Sequence, residues 1–475
     1  MTWTNEDQRW AEESGIDLSH LDAQLIRIRD GQQPTVVDRP CTVGDGIETC
    51  DEATRDAYAA RARQAEGRVT HFVPASGAAS RMFRAIASAH PTTDPSALPA
   101  SARQAFEGRD RLAVGIGLGQ ATLTQAFAAW IDQHRYASMP KGLLPFHRYG
   151  EQSRCAAEEH FREAVAVSSQ DGRVTVHFTV PEAFEDAFHA IARAHPHIAF
   201  TTSVQRRNTD TVATDASGAV WRGEDGRILL RPGGHGALLH NLHALGADLV
   251  TIKNIDNVVR DEPRPVVVAW RRALLGRLLE LEQAVHEQLR GLRDGTVEPS
   301  AALQFAATQF GRAPKEGDPM AAAMDALNRP LRVCGMVRNA GEPGGGPFWA
   351  YTSDGSCTKQ IVESAQIDRT QAPQAAAVAK ATHFNPVDLV ASLRDGDGKP
   401  FDLARFIDDE QWFVVEKSKH GRSLMALERP GLWNGAMAGW NTVFVEVPAE
   451  TFHPVKELRD LLRPGHVAVT PTVPA

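Results

Sequence analysis

Apolar residues recur at helical spacing through DLSHLDAQLIRIRDG and again through EATRDAYAARARQ, so residues 1–65 predict a polar, helical cap. The pattern changes at residues 69–73, in RVTHFVPASG, where a continuous apolar run predicts the first buried strand. It passes directly into a small-residue turn and then a helix over SRMFRAIASAH. Strand, tight turn and helix open a parallel α/β unit. Residues 99–137 predict a mostly helical insertion. After it a helix (EEHFREAVAVS), a strand (RVTVHFTV), a helix (PEAFEDAFHAIARAH) and a strand (HIAFTTSV) follow in turn. RPGGHGALLHNLHALG then predicts a glycine loop and a helix, and ADLVTIKNIDNVV a strand ending in polar residues.

Further along, residues 265–293 predict a long amphipathic helix and residues 300–327 a weaker, Ala-rich helical stretch. RPLRVCGMVRN returns to strand character, and GEPGGGPF predicts a loop, because that composition does not sustain a helix. The last part mixes strands (QWFVVEKS, NTVFVEVP) with a closing helix over PVKELRDLL. The expected fold class is α/β, a doubly wound Rossmann-like sheet. The expected division is a helical cap at 1–66, a catalytic domain at 67–395 and a small α/β region at 396–475. There is no internal repeat.

A length of 475 residues supports two or three domains. No apolar run approaches the ~20 residues of a membrane span. The opening MTWTNEDQRWAEESG is polar and acidic, so neither a signal nor a transit peptide is expected and a cytoplasmic protein is. The net charge of −8 gives no reason to expect nucleic acid as a partner. A phosphate ligand stays open, since local cations and backbone N–H groups decide that. Five scattered cysteines with no CxxC pair predict free thiols, and neither zinc nor a disulfide framework.

Two segments carry candidate chemistry. The turn PASGAASRMF places Ala75, Ser76, Gly77, Ala78 and Ser80 between strand and helix. Small side chains there let a nucleotide approach backbone N–H groups at a helix N-terminus, and Arg81 can reach a phosphate with both guanidinium nitrogens. The turn is not a Walker A loop. Its competing reading is a close strand–helix contact with an exposed arginine. The second segment, MPKGLLPFH, holds Lys141 between a proline and a glycine, where it can offer a fixed positive charge to a leaving pyrophosphate. An ordinary surface lysine is the competing reading.

Together these segments resemble the sugar-nucleotide pyrophosphorylases, which carry a small-residue AGG-x-GTRL turn followed by a PK motif and an LLP-like run. ASGAASRM (75–82) matches the first without a gap and PKGLLP (140–145) the second. Four more segments are similar, in the same order, to the UDP-sugar pyrophosphorylase branch: RPGGHGALLHNL (231–242), IKNIDNVV (252–259), TKQIVESAQID (358–368) and TFHPVKEL (451–458). The whole also looks like an uncharacterised bacterial domain-of-unknown-function branch of that superfamily. The resemblance implies a nucleotide-diphospho-sugar transferase fold of GT-A type.

Asp256 ends an apolar strand, where doubly wound sheets present ligands, and one carboxylate there can hold Mg²⁺ while phosphates complete its shell. The resemblance implies the same metal role, and a turn-capping aspartate is the alternative. Gly233, Gly234 and Gly236 leave room for a base or sugar and His235 offers two ring nitrogens; the resemblance implies nucleotide contact. It also implies sugar-phosphate contacts from Asn254, from Gly345 in the 344–346 glycines, from Glu363, and from Lys417, Lys419 or Lys456. His240 and His243 have HxxH spacing but no adjacent glutamate or third ligand, so they read as surface and core histidines. Ser76 and Ala79 stand where the family turn has glycines, which tightens any backbone approach.

The expected activity is a nucleotidyltransferase that joins a nucleoside triphosphate, UTP favoured, to a sugar 1-phosphate and releases pyrophosphate. Arg81 and Lys141 are the expected catalytic cations. One alternative is a non-catalytic sugar-nucleotide sensor. Another is a glycosyltransferase of the same fold, which needs a DxD metal site; the one DGD, at 395–397, falls in a polar loop. Base, sugar and oligomeric state are open.

Overall fold

A computed structural model describes residues 3–31, 34–90, 94–313, 316–342, 344–419 and 422–468. The chain forms two compact units, each assembled from three separate stretches. One takes Met1–Cys50, Val204–Leu249 and Arg277–Glu446, the other Asp51–Ser203, Val250–Gly276 and Val447–Ala475. The sequence reading had instead cut the chain into consecutive blocks at 66/67 and 395/396.

In the second unit the strands lie in the spatial order Leu249–Lys253, Val69–Pro74, Val174–Thr179, Ile198–Ser203. The last three pair in parallel. The chain thus enters mid-sheet, winds outward through two strands and returns to the other side of the first. Such a reversal of winding is where open α/β sheets collect ligands. Helices Ala156–Ser168 and Glu185–Arg193 present apolar faces, and Phe161, Phe178 and Phe188 close the core in stacked and edge-on ring contacts. The four predicted strands and these helices all form where the periodicity placed them. The Arg264–Asp294 helix does too.

In the first unit Leu331–Arg338 pairs in parallel with Asn441–Glu446, which pairs in parallel with Gly46–Glu48. Asp388–Ser392 is antiparallel to Leu331–Arg338. The protein is therefore a mixed α/β fold, rich in parallel strands. The first unit adds antiparallel sheets of Val37–Pro40 with Gly345–Tyr351 and Cys357–Glu363, and of Leu230–Arg231 with Thr211–Thr214, Arg422–Glu428 and Phe413–Lys419.

Three expectations need correction. Residues 1–65 are not helical throughout: Val37–Pro40, Thr42–Val43 and Gly46–Glu48 are strands too short to show a period, the first and last held by partners some 300–400 residues away in the sequence and Thr42–Val43 by Gly46–Glu48 itself. Gly345 and Gly346 start a strand and do not form a loop, because they pair with Val362 and Glu363. PVKELRDLL makes only a 3-10 turn at Leu458–Leu462. Residues 454–456 ahead of it are held extended, with Val455 N–H donating to the Asp256 carbonyl and Pro454 bridging Asn257.

All five cysteines are free thiols. His240 and His243 are both exposed, so neither is a core histidine. Among the described residues no helix is long and apolar enough to cross a membrane.

Lys253, at the end of its strand, is almost fully buried and donates to both oxygens of Glu163 at 2.9 Å, while Arg271 bonds one of them. Burial by itself would raise the Glu163 pKa. The charges of Lys253 and Arg271 outweigh it and hold the carboxyl well below the usual carboxylate range. A depressed folded-state pKa contributes stability above the unfolded value, about 4.3, that is lost as pH falls below it. Glu163→Gln leaves two buried cations short of a counter-charge, and the loss in urea unfolding should be about 3–5 kcal/mol at neutral pH. The variant's stability should also depend less on pH between 5 and 3, roughly the range over which an unfolded glutamate titrates.

Candidate functional site

The strand Val69–Pro74 ends at Pro74, and the turn after it is tied down by backbone bonds. Ala75 N–H donates to Thr179 O, and Ala79 N–H to Met139 O, both at 2.9 Å. Lys141 N–H donates to Gly77 O at 3.1 Å, and Ala78 bridges Pro140. The small-residue turn and the PK segment, about 60 residues apart, are therefore one structure. Ala75 and Ala79 are fully buried and Ser76 is half-buried, whereas Gly77, Ala78 and Ser80 are exposed. A side chain added at Gly77 would meet no atom within 4 Å, so that face of the turn is open.

Lys141 is 9% exposed, and its Nζ donates to Asp256 Oδ2 and to Val455 O, both at 2.7 Å. Lys456 Nζ donates to the same Oδ2 at 3.1 Å. Asp256 is 5% exposed, and its other oxygen, Oδ1, is buried with no hydrogen-bond partner among the described residues. One carboxylate with two ammonium groups thus sits just past Lys253, at the point where the winding reverses. Burial pulls the Lys141 pKa below the ordinary lysine range even though Asp256 opposes the shift; Lys456 and Arg81 push the same way as burial. Burial would raise the Asp256 pKa, but the two lysines win and lower it. Arg81 is exposed on the turn, close enough for its charge to act on Lys141. Asn254 is half-buried, and its carbonyl closes a turn by accepting from Asn257 N–H.

The Lys456 segment is held from both sides. Asp460 Oδ2 accepts the N–H groups of Lys456 and Glu457 at 2.8 and 2.7 Å. His453 N–H donates to Asn257 Oδ1, and the His453 carbonyl is bonded by His466. His466 in turn meets His147, which is bonded to Glu159 in a buried chain. Burial lowers the pKa of both rings, so the chain is one of neutral imidazoles ending on a carboxylate. None of Asp460, His147, Glu159 and His466 was singled out from the sequence, because no motif marks them and only the fold brings them to residues 453–457.

The remaining expected residues form a separate group in the other unit. The glycines of 233–236 make room for protein. An added side chain would strike Thr209 O at Gly233, Glu428 Oε2 at Gly234 and Pro430 O at Gly236. His235 stacks face to face on Trp433, with ring centroids 4.0 Å apart, and its Nδ1 accepts from Leu432 N–H. Loss of water there pushes its pKa down to about 4. The expected space for a base is thus taken by residues 428–433. Glu363 lies against Gly345, and burial raises its pKa. Lys417 Nζ bonds Glu428 Oε1 at 2.5 Å, and Glu428 raises the Glu363 pKa further. The side chain of Lys419 lies outside the described residues. The sugar-phosphate set is thereby divided: Asn254 and Lys456 go with Asp256, while Gly345, Glu363 and Lys417 go with His235.

Comparison with solved structures finds loose likenesses. The uridine diphosphate N-acetylglucosamine pyrophosphorylase of Trypanosoma brucei aligns at TM-score 0.49 and 14% identity, over 88% of this chain and 69% of that one. A variant of UDP-glucose pyrophosphorylase from Leishmania major gives 0.48 and 11%, over 97% and 79%. The UDP-glucose phosphorylase of Trypanosoma brucei gives 0.47 and 12%, over 96% and 77%. At these scores nothing about the chemistry of this chain follows from them. No curated protein sequence matches. Over residues 4–107 and 124–467, however, the sequence matches the family described as Domain of unknown function (DUF4301), and the chain belongs to that family.

Proposed function

We propose that the protein is a sugar-1-phosphate nucleotidyltransferase, which forms an NDP-sugar and pyrophosphate from a nucleoside triphosphate, UTP favoured, and a sugar 1-phosphate. In this reading the fold is the Rossmann-like, GT-A type of the nucleotide-diphospho-sugar transferases. The observation that supports it most is the convergence of Lys141, Lys456 and Asp256 at the strand-order reversal, beside a turn whose Gly77 face is open. The six collinear motif resemblances give the chemistry its direction.

The reaction is an in-line displacement. An oxygen of the sugar phosphate attacks the α-phosphorus, a new P–O bond forms, and the bond to the bridging oxygen of the β-phosphate breaks. Pyrophosphate leaves with that electron pair. A phosphate dianion is already a nucleophile, so no general base is needed and catalysis is alignment and charge neutralisation. Lys141 is anchored by Asp256 and the Val455 carbonyl, which points one ammonium at a fixed place with little reorganisation to follow. Lys456, its side chain 52% exposed, is the more accessible cation, and Arg81 on the turn is the third.

Mg²⁺ fits one atom of this arrangement. Asp256 Oδ1 is buried and without a partner among the described residues while Oδ2 takes both lysines, and Mg²⁺ characteristically uses one or two carboxylates with substrate phosphates as its other ligands. Bound there, it would neutralise charge on the phosphate oxygens. Asp395 does not offer the DxD site of the glycosyltransferase alternative: its side chain caps its own turn, and Asp397 pairs with Arg293. The sensor alternative draws on the thinned glycine turn, in which Ser76 and Ala79 stand where the family turn has glycines.

Pyrophosphate release should require both an NTP and a sugar 1-phosphate; binding without release under a full substrate panel supports the sensor. Lys141→Ala should lower turnover by ~10²–10³ with a small change in KM, the usual cost of losing one oriented donor. Unchanged turnover would remove Lys141 from the mechanism. Since the Lys141 pKa is lowered, the alkaline limb of the rate profile should begin below the ordinary lysine range, as the ammonium loses its proton. A rate that stays flat up to that range would contradict a charged Lys141 in the rate-limiting step.

A further inference from the structure

A cavity of about 230 Å³ opens on the far side of the glycine loop, wholly within the first unit. Arg27 from the helix Leu18–Asp30, His240, Trp412 and Arg429 are among its walls, with Gly236 at one edge. It is separate from the group around Glu363. Neighbouring residues 428 and 429 turn opposite ways: Glu428 meets Lys417 and Gly234, whereas Arg429 donates from Nε to Thr209 O and lines this cavity.

Two guanidinium groups meet there without being used up. Trp412, 3% exposed, forms part of the wall, with its indole nitrogen shut off from the cavity. Arg27 lies over the Trp412 ring, its guanidinium carbon 5.5 Å from the centroid, and has an exposed Glu410 at 3.5 Å as its ion-pair partner. Arg429 is held by its Nε, which leaves its planar end toward the cavity. Burial lowers the Arg429 pKa; Asp409 opposes that shift, and the positive charge of Arg27 adds to it. Two guanidinium groups are thus close enough to repel each other.

We infer that this cavity binds a small phosphorylated metabolite, its phosphoryl group taken by Arg27 and Arg429. Two guanidinium forks call for more acceptors than the two coplanar oxygens of a carboxylate, and a phosphomonoester supplies three terminal oxygens. Asp409, on the same wall, can accept from a hydroxyl of the ligand. At about 230 Å³ the cavity has room for a phosphate with a short polyol chain. The site also touches the glycine loop. Arg429 N–H donates to Gly233 O at 3.1 Å, so a ligand that fixes Arg429 stiffens the loop from behind. The inference stands whether or not the proposed transferase activity does.

The nine tryptophans make fluorotryptophan NMR a direct readout, with the Trp412 resonance assigned by its loss in Trp412→Phe. Inorganic phosphate should shift that resonance saturably, and acetate at the same ionic strength should not. Arg27→Gln should weaken the phosphate response by at least about tenfold, the usual effect of losing one charged hydrogen bond, with Arg27→Lys in between. The other tryptophan resonances report whether each variant is folded. Lys141→Ala should leave the response intact, which separates this pocket from the transferase site. A Trp412 resonance unmoved by phosphate, moved equally by acetate, or losing its response in Lys141→Ala but not in Arg27→Gln would each overturn the inference.

Discussion

A carboxylate taken out of water needs positive charge beside it, and the second unit meets that need twice around its central strands. Glu163 is held by Lys253 and Arg271 beneath the sheet end, and Asp256, three residues beyond Lys253, is held by Lys141 and Lys456. Removing either partner of a buried pair leaves an uncompensated charge, so each pair constrains the geometry of everything bonded to it. Asp256 draws in the turn after the first strand through Lys141, and residues 454–456 through both Val455 and Lys456. Three distant stretches of chain are thereby fixed around one oxygen atom.

The asymmetry of Asp256 gives this arrangement its chemical interest. One oxygen carries two ammonium groups and the other none. A purely structural ion pair would be expected to use both oxygens, as Glu163 does with Lys253. An oxygen without a donor among the described residues, the lowered Lys141 pKa and the open face at Gly77 are the features on which the proposed function rests. The chain of His147, Glu159 and His466 supplies rigidity behind it, since neutral buried imidazoles act here as hydrogen-bonded spacers.

In the first unit the same economy of space works through glycine. Gly236 leaves room for the Pro430 carbonyl, and Gly234 for Glu428, so the 233–236 loop is bonded and packed against residues 428–433. His235 stacked on Trp433 completes that contact. A glycine loop read in sequence as room for a ligand therefore turns out to be room for backbone. The two readings share one physical cause, the missing Cβ, and only the neighbours tell them apart.

The alternation of apolar runs and amphipathic stretches was enough to place the four strands of the second unit and its packing helices. Period-2 and period-3.6 burial are local properties of the chain, so they are written locally. The 75–82 turn, Lys141 and Asp256 were legible for a related reason, since small residues, a constrained lysine and a polar strand end are each local signals. The strands at 37–48, the strand character of Gly345 and Gly346, and the short turn in place of a closing helix were not legible. These elements owe their conformation to hydrogen-bond partners outside their own few residues, hundreds of positions away for Val37–Pro40, Gly46–Glu48 and Val455 and some 16–18 for Gly345 and Gly346. The same holds for the Asp256–Lys141–Lys456 contacts and for the Arg27–Trp412–Arg429 cavity. Residue types are inherited from the sequence, but which charges come within 3 Å of each other is decided only when the chain has folded.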